Sequence, residues 1–533
     1  MNSIDLSWYN HKTKDIHTLL KDCQEKESIT SINLEGNFIE VKGLYHLFQY
    51  ISFNFKNIIH LNLSHTNITI QEFYIISKQL VSFQYLNSLY LDSNQIVGKS
   101  IRYLNPILPR LKELSINSNF ISFHGISYLC NEFKNMKRLT YLSINNCNLY
   151  CDGIYILSEH ISHLENLEYL SLSGNYCNIS VFSYLLFQLP KKNMIFLDLG
   201  NICSHLETDN GIYQSKLHYT SFFSSQLELF KNLNVLIWNM YYDTHIMYGI
   251  GKLKKLNKLI LDIDPIFFDI TISYFPYLPS LEFLKISSIE YKSFIKIIEN
   301  LPIKIKHLYF KYIFPNLKII NILCLALLQY KNLYSFSFTN SSLQYRYLEK
   351  ICHSLKKLKY LYYLSFFSNL IEDESINLFL PLLRLKNLKY LSLQENSITF
   401  LGLQKIIDSL KNRENKMSIY INNNLLFREN YNIFSKEIKE LLDINYLLNY
   451  KWINEIKDDF VKIMKYKPFY HSIDFFYKET NDIEKYNNIL LKIQKRMEEK
   501  KSYYLFYSEI EKTNHYHEIF YNKDIKTYIQ EFL

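Results

Sequence analysis

The residues with the clearest chemical potential are four cysteines that lie near three histidines, the residue types that bind zinc. Their spacing is not that of a zinc site, because no cysteine pair in the chain has the CxxC form. Two of the four also occupy positions of a sequence repeat, described below, where a small buried side chain is needed. We therefore expect buried thiols and predict no metal site. The cysteines are Cys147, Cys151, Cys177 and Cys203, and the histidines are His160, His163 and His205.

Sequence motifs for catalysis are missing. The chain contains neither the phosphate-binding GxxxxGK[ST] loop nor the dinucleotide-binding GxGxxG turn. The remaining histidines, such as His60 and His307, are scattered and do not recur with a serine and an aspartate. We predict no catalytic residues and no cofactor, so the protein is expected not to be an enzyme.

Composition indicates a folded chain. Of 533 residues, 48% are hydrophobic and 21% charged, which is outside the range of disordered proteins. There are 46 tyrosines and only 11 glycines. Because Lys, Asn, Ile and Tyr are all abundant, as in proteins from AT-rich genomes, the abundance of any one of them does not by itself indicate a site.

The positive charge is concentrated before residue 430. The net charge is +9, yet residues 430–533 contain 17 basic and 17 acidic residues. Many lysines of the earlier part fall near expected helix C-termini, where a cation interacts favourably with the helix dipole. This distribution favours a solvated surface and argues against a nucleic-acid partner.

The sequence also predicts the cellular setting. The N-terminal residues MNSIDLSWYNHK lack the apolar segment of a signal peptide. The longest apolar run, residues 319–328, is about half of the roughly 20 residues that a membrane span needs. We therefore expect no membrane span, an intracellular and cytoplasmic location, and reduced cysteines.

A short apolar strand pattern recurs along most of the chain. The second apolar residue of each strand can be followed through the first half with steps of 29, 28, 25, 28, 28 and 27 residues. An asparagine usually follows five residues later, as in Asn37, Asn94 and Asn119, and a helical pattern comes next. The tracked residues are Ile32, Leu61, Leu89, Leu114, Leu142, Leu170 and Leu197.

These strands resemble the leucine-rich repeat, LxxLxLxxN/CxL, over about residues 29–429. The step near 28, with a glycine before the helix at Gly43, Gly125 and Gly153, resembles the ribonuclease-inhibitor-like subclass. The resemblance implies an α/β solenoid of about fifteen repeats, with parallel strands on a concave face and helices on a convex face. Cys147 then occupies the Asn/Cys position of its repeat.

The regularity of the repeat suggests five regions. Between Leu197 and Leu236 the step grows to 39 residues, and the polar, aromatic segment there is expected to contain an irregular loop. The following steps of 23, 25 and 24 residues suggest reduced helices, and steps of 28, 27 and 28 return after Phe336. The predicted regions are an N-terminal cap (1–28) with a helix near residues 15–23, regular repeats (29–200), degenerate repeats with an insertion (201–330), regular repeats (331–429) and a helical C-terminal region (430–533).

Side chains next to each tracked residue should point to the concave face, because side chains alternate along a strand. The residues after the tracked ones form a small polar ladder, and those before them form an exposed row rich in tyrosine, which is a frequent interface anchor. Stacking between neighbouring strands explains such a row equally well without a partner. The predicted contact residues for a protein partner are Tyr141, Tyr169, Tyr363, Tyr390, Glu113 and Asp92.

The sequence therefore predicts a non-catalytic scaffold that holds an unidentified protein partner in the concave face. The resemblance also implies two alternatives. One is a regulator of a small GTPase, as in Ran GTPase activators, although the charge-balanced segment after Phe427 differs from the acidic segment typical of that family. The other is an axonemal or cytoskeletal structural protein.

Overall fold

A computed structural model describes residues 2–9, 11–202, 213–239, 244–262, 273–410, 417–421 and 424. It divides into two compact units at the bond between Ile305 and Lys306, and we describe each unit by itself. The predicted C-terminal region, 430–533, lies outside the described residues, and so does part of the predicted insertion.

Each unit contains parallel strands that pair in chain order. Among the described residues, the first unit has eleven strands and the second has five. The strands of the first unit are β1 (Asn2–Asp5), β2 (Ile29–Asn33), β3 (His60–Asn62), β4 (Ser88–Tyr90), β5 (Glu113–Ser115), β6 (Tyr141–Ser143), β7 (Tyr169–Ser171), β8 (Phe196–Asp198), β9 (Val235–Ile237), β10 (Lys258–Leu261) and β11 (Phe283–Ser287). Those of the second unit are β12 (His307–Lys311), β13 (Ser335–Thr339), β14 (Tyr363–Ser365), β15 (Tyr390–Ser392) and β16 (Ser418–Tyr420).

Helices connect most of the strands. The first unit contains α1 (Thr13–Asp22), α2 (Leu44–Asn54), α3 (Ile70–Leu80), α4 (Ser122–Glu132), α5 (Tyr150–His160), α6 (Ile179–Gln188), α7 (Tyr213–Leu227), α8 (Thr244–Ile250) and α9 (Tyr291–Asn300). The second contains α10 (Leu317–Leu327), α11 (Tyr345–Leu355), α12 (Ile376–Phe379) and α13 (Phe400–Leu410). Between β4 and β5 two 3₁₀ segments, Gly98–Leu104 and Leu108–Arg110, replace the α-helix. Pro106 and Pro109 lie in this connection and remove helix donors.

The repeat pattern correctly predicted which strand residues are buried in the core. The tracked residues pair in register, for example Leu142 with Leu170, and both side chains are fully buried. Ile144 and Leu172, two residues further along each strand, are also fully buried. Since these residues face the helices, each unit has the two-layer α/β leucine-rich repeat architecture that the resemblance implies.

In seven of the described repeats, the turn after the strand depends on an asparagine side chain. The side-chain amide of Asn94 donates to the carbonyl oxygens of Leu91 (3.0 Å) and Leu63 (2.8 Å), the latter in the preceding repeat. Its Oδ1 atom accepts from the backbone N–H of Ile68, at 2.9 Å. Asn37, Asn119, Asn175, Asn369, Asn396 and Asn424 donate to backbone carbonyls in a similar way. The predicted structural role of this position is confirmed.

The residue before that asparagine takes a strained backbone conformation. Ser93, which precedes Asn94, has φ of +51°, in the left-handed region that costs most residues free energy. Few of these positions are glycine. The same conformation occurs at Ser288 and Tyr312, which precede Ile289 and Ile313, so it belongs to the turn whether or not an asparagine follows. The equivalent non-glycine residues are His65, Ser118, Asn146, Asn201, Ser288, Tyr312, Asn340, Ser368 and Glu395.

Several local expectations need refinement. The predicted N-terminal cap contains β1, which pairs with β2, and its helix runs over Thr13–Asp22. The segment expected to contain an irregular loop also includes a helix, α7, of fifteen residues, and residues 203–212 of that segment lie outside the described residues. The expected glycines before the helices are correct only for Gly43, the N-cap of α2.

Gly125 and Gly153 lie instead inside the first turns of α4 and α5. They are glycine because neighbouring turns approach closely. A Cβ atom on Gly125 would lie 2.8 Å from the Cα atom of Gly98, and one on Gly153 would lie 2.9 Å from the Cβ atom of Leu149. The spacing of these glycines is therefore a packing signal of this repeat.

The repeats with shorter steps differ at the turn. Ile289 and Ile313 replace the asparagine, and the strands that precede them, β11 and β12, are five residues long where most others are three. The expectation of reduced helices holds for α8, which has seven residues, but α9 has ten. Among the described residues, no helix is long and apolar enough to cross a membrane.

The turn asparagine can be tested at Asn94. We expect Asn94→Ala to lower the free energy of unfolding by about 2–3 kcal/mol, because buried backbone groups in two repeats lose their partner. Gln95→Ala is the matched control, since Gln95 is exposed and its side chain bonds only to the side chain of Asn67. Urea unfolding of the full chain, followed by circular dichroism, measures both. Equal effects of the two substitutions would contradict the role of Asn94.

Candidate partner-binding face of the sheet

The candidate site is the side of the strands that faces away from the helices, which we call the sheet face. In β6 and β7 the buried leucines are flanked by paired residues, Tyr141 with Tyr169 and Ser143 with Ser171. Side chains on either side of a buried strand residue point to the opposite surface. The predicted contact residues of the first unit, including Glu113, therefore share this face.

An aromatic stack crosses the middle of the face. The Tyr141 and Tyr169 rings stack with centroids 4.0 Å apart, and Tyr169 and Phe196 stack at 3.9 Å. Tyr90 meets Tyr141 edge-on at 6.3 Å. We call these four residues the aromatic stack. Its rings are half-buried rather than fully exposed, because each one covers part of the next.

The small polar ladder predicted beside this row is almost inaccessible. Ser115, Ser143 and Ser171 are each 1% exposed although they lie on the outer surface of the sheet. Neighbouring side chains and their hydrogen-bond partners cover them. The direction of these side chains was predicted correctly, but their availability to a partner was not, since strand alternation carries no information about cover.

Beneath this cover, a line of hydrogen bonds connects two carboxyl groups. The Ser115 hydroxyl donates to Oδ1 of Asp92 at 2.6 Å, and the Asn117 amide donates to the Ser115 oxygen at 3.0 Å. Ser143 then donates to Asn117 (2.8 Å), and the backbone N–H of Asn145 donates to the same oxygen (2.6 Å). The line crosses strand after strand, so it ties the outer surface together.

At Asp198, the far end of this line of hydrogen bonds, there is one donor hydrogen fewer than the acceptors need. The Ser171 hydroxyl lies 2.8 Å from Oδ1 of Asn145 and 2.7 Å from Oδ2 of Asp198. One hydroxyl hydrogen cannot be donated to both oxygens, so one acceptor lacks a donor while Asp198 is ionised. The other oxygen of Asp198 accepts from the Gly200 N–H at 3.0 Å.

Burial raises the pKa of both terminal carboxyl groups, those of Asp92 and Asp198. The bonds to Ser115 and Asn117 at Asp92, and to Gly200 and Ser171 at Asp198, oppose this shift. Burial also raises the pKa of Tyr141 and Tyr169, and the charge of Asp92 contributes in the same direction at both rings. The carboxylates thus act electrostatically on the aromatic stack.

Glu113 lies between the acids and the rings. Its carboxylate accepts a hydrogen bond from the Tyr90 hydroxyl, and this contact fixes the first ring of the aromatic stack. Of the six predicted contact residues, the structure thus brings four together here: Tyr141, Tyr169, Glu113 and Asp92. Their role in binding stays a prediction.

Tyr363 and Tyr390, the other two predicted contact residues, lie on the sheet face of the second unit. Tyr363 is 6.3 Å from Tyr309, whose hydroxyl donates to Ser335 at 2.9 Å. Tyr390 is stacked parallel to Tyr420 at 6.4 Å. Both are half-buried, like the rings of the first unit.

Sequence reasoning missed Asn117 and Asn145 as parts of the face. Each lies two residues after a serine of the polar ladder, at the position that Asp92 occupies in β4. The sequence therefore did contain a pattern that could have identified them: a polar residue three positions after the tracked leucine in each of these repeats.

The cysteines have structural roles where they are described. The Cys147 thiol donates to the carbonyl oxygen of Ile116 at 3.2 Å, as the turn asparagines do, and Cys177 is 1% exposed. Cys203 and His205 lie outside the described residues. Within the described part of the chain, no three His, Cys, Asp or Glu side chains form a group that could hold a metal.

The missing hydrogen at Asp198 gives a pH-dependent prediction. The pKa of Asp198 is raised in the folded state, so the unfolded chain loses this proton first and the free energy of unfolding falls as pH rises above 3.8. Asp198→Asn supplies the hydrogen permanently. We expect it to stabilise the protein at neutral pH by about 1 kcal/mol, one hydrogen bond, and by less as the pH falls toward 3.8.

Urea unfolding at several pH values measures this difference. Asp22→Asn, at the exposed end of α1, is the control and should leave the pH dependence unchanged. An Asp198→Asn variant that is less stable than the native protein at neutral pH would contradict the inference that one acceptor beside Ser171 lacks a donor.

No protein-family model matches the chain, and a search of curated proteins finds no match. Among solved structures, an internalin of Listeria monocytogenes has a TM-score of 0.36 at 18% identity, covering 67% of this chain and 88% of the internalin. A leucine-rich repeat protein of Leptospira interrogans has a TM-score of 0.34 at 18% identity, covering 82% and 93%.

The leucine-rich repeat ectodomain of the Arabidopsis thaliana membrane receptor kinase GASSHO1/SCHENGEN3 has a TM-score of 0.31 at 14% identity, covering 80% of this chain and 50% of the ectodomain. The fold assignment rests instead on the strand register and the asparagine turns of each unit. By that geometry, the described chain has the α/β leucine-rich repeat solenoid fold.

Proposed function

We propose that this protein is a non-catalytic scaffold that binds a protein partner on the sheet face of its first unit. The aromatic stack supports this proposal. Tyr141, Tyr169 and Phe196 form a continuous set of rings whose neighbours already hold them in place. Rings held in this way lose little conformational freedom on binding, and tyrosine is among the residues that contribute most to protein interfaces.

The layer below the rings also suits a binding surface. The serines and asparagines under and beside the aromatic stack are hydrogen-bonded across strands, for example Ser143 to Asn117 at 2.8 Å. A surface that is ordered before binding needs little rearrangement. Tyr363 and Tyr390 would offer a second aromatic contact area, on the second unit.

We further propose that the repeats are of the ribonuclease-inhibitor-like subclass. Helices such as α4 and α5, each of eleven residues, support this assignment, since that subclass follows its strands with full α-helices. The small-GTPase regulator and the axonemal or cytoskeletal protein stay open as alternatives. Stimulation of GTP hydrolysis by a small GTPase, or co-sedimentation with filaments, would favour one or the other.

The binding role can be tested by replacing the central stacked pair. We expect Tyr141→Ala with Tyr169→Ala to weaken partner capture by about tenfold or more, because two anchor residues are lost. Tyr155→Ala with Tyr184→Ala is the matched control. That pair also stacks across two repeats, at 5.5 Å, but it lies on α5 and α6.

The sheet-face variant also loses the contacts with Phe196 and Tyr90, whereas Tyr155 is exposed, so we expect a larger fall in melting temperature for the sheet-face variant. Thermal unfolding therefore serves to check that both variants are folded at the temperature of the capture experiment. Partners are captured with the full chain by a photo-crosslinking phenylalanine analogue at position 169, and by the same analogue at position 155. A partner captured at both positions, or unaffected by loss of the Tyr141 and Tyr169 rings, would contradict binding on the sheet face.

A further inference from the structure

We propose that the partner segment bound on the sheet face of β2–β9 is basic, a stretch of protein rich in arginine and lysine. This inference rests on the proposed function and adds the chemistry of the partner. It comes from the distribution of charge over the face, which differs from that of the chain as a whole.

Charge on this face has a single sign. We consider the outward positions of each strand: the residue before the tracked one, the residue after it and the residue three after it. From β2 to β9 these positions contain no lysine or arginine, although the whole chain has a net charge of +9. They contain four acidic residues: Glu35, Asp92, Glu113 and Asp198.

Uncharged groups are the hydrogen-bond donors to these four carboxylates. Glu35 accepts from the side-chain amide of Asn62 at 3.1 Å, and Glu113 accepts from the Tyr90 hydroxyl. Asp92 and Asp198 accept from serine hydroxyls and backbone N–H groups, as described above. Ion pairs among the described residues involve other acids, so no lysine or arginine there is paired with these four carboxylates. The nearby His65 does act on one of them, since it lowers the pKa of Asp92 against the effect of burial.

The acidic region ends where lysines begin. At β10 the Nζ atom of Lys258 lies over the Phe283 ring, 4.6 Å from its centroid, and at β11 Lys285 forms an ion pair with Asp262. Cations are thus present on the sheet face once the aromatic stack has ended, and there they meet an aromatic ring and a carboxylate. In the repeats of β4–β8, aromatic rings and carboxylates also occur together, but no lysine or arginine lies at the outward positions.

The combination of rings and carboxylates matches a guanidinium or ammonium group. Arginine and lysine are attracted to aromatic rings, and arginine pairs with carboxylates through two parallel hydrogen bonds. Burial raises the pKa of Asp92 and Asp198, so their ionised forms are costly in the free protein, and a bound cation would offset that cost. A phosphate backbone would be repelled, so nucleic acid does not fit this face.

The probe for this proposal is a fluorescein-labelled oligoarginine peptide, with an oligoglutamate peptide of equal length as comparison. Fluorescence anisotropy with the full chain at low ionic strength measures affinity. We expect the native protein to bind oligoarginine and not oligoglutamate. The variant Asp92→Asn, Glu113→Gln, Asp198→Asn should bind oligoarginine at least about tenfold more weakly, since three charge pairs are lost. Asp92→Asn and Glu113→Gln keep an oxygen for the hydrogen bonds described above, and Asp198→Asn keeps one for the Gly200 N–H while its amide can donate to the Ser171 oxygen.

The matched control is Asp22→Asn, Glu159→Gln, Glu165→Gln, which changes the net charge by the same amount at exposed positions off the sheet face. It should bind as the native protein does. Equal weakening in both variants would indicate general attraction to a charged protein and would overturn the proposal, as would no binding by the native chain. Thermal unfolding checks that both variants are folded.

Two further outcomes separate this inference from the proposed function. If crosslinking at position 169 captures a partner whose attached segment has no excess of lysine and arginine, the scaffold role stands and the basic-partner inference fails. If light scattering shows a dimer that becomes monomeric in the sheet-face variant and that oligoarginine does not dissociate, a second copy of this chain occupies the face, and the inference also fails.

Discussion

Seven of the described repeats depend on one asparagine amide in the turn after the strand. A strand of three residues must reverse toward the helix layer, and the residue that makes this possible, such as Ser93, sits in the left-handed region. Asn94 then supplies the donors and acceptor that the backbone of two repeats would lack. Because the amide joins a repeat to the one before it, the same contact shapes the turn and sets the stacking of strands.

Other residues occur at this position in some repeats, and they show which hydrogen bonds the turn requires. Cys147 keeps a donor to Ile116 of the preceding repeat, and its repeat remains regular. Ser341 is shorter but still accepts from the N–H of Ile313 and donates to Thr339. Ile313 itself can do neither, and the strand before it, β12, continues to five residues. Strand length does not follow from this side chain alone, because β2 and β13 also have five residues although Asn37 and Ser341 follow them.

This explains how far the sequence could predict the structure. Tracked apolar residues repeat at a nearly fixed interval because every repeat needs them, and asparagine is the commonest residue at the turn position, so the fold and the direction of Tyr141 and Tyr169 were predictable. Helix α7 was not, since the 39-residue step from Leu197 to Leu236 departs from the repeat interval by which the other helices were placed. The 1% exposure of Ser143 was also not predictable, because it depends on how neighbouring rings lean and which partners the hydroxyl finds.

The same reasoning limits which positions of a repeat are available to bind a partner. Inward positions of the strands are fixed by packing, and the turn position is fixed by the backbone. On the sheet face, the serines after the tracked leucines are used in hydrogen bonds between strands, as Ser115 is with Asp92. What remains open to a partner is the column of Tyr141 and Tyr169 and the column of Asp92. Those two columns bring rings beside carboxylates, and their neighbours within the face are uncharged. The proposed recognition of a partner on this surface therefore rests on aromatic contact and negative charge acting together.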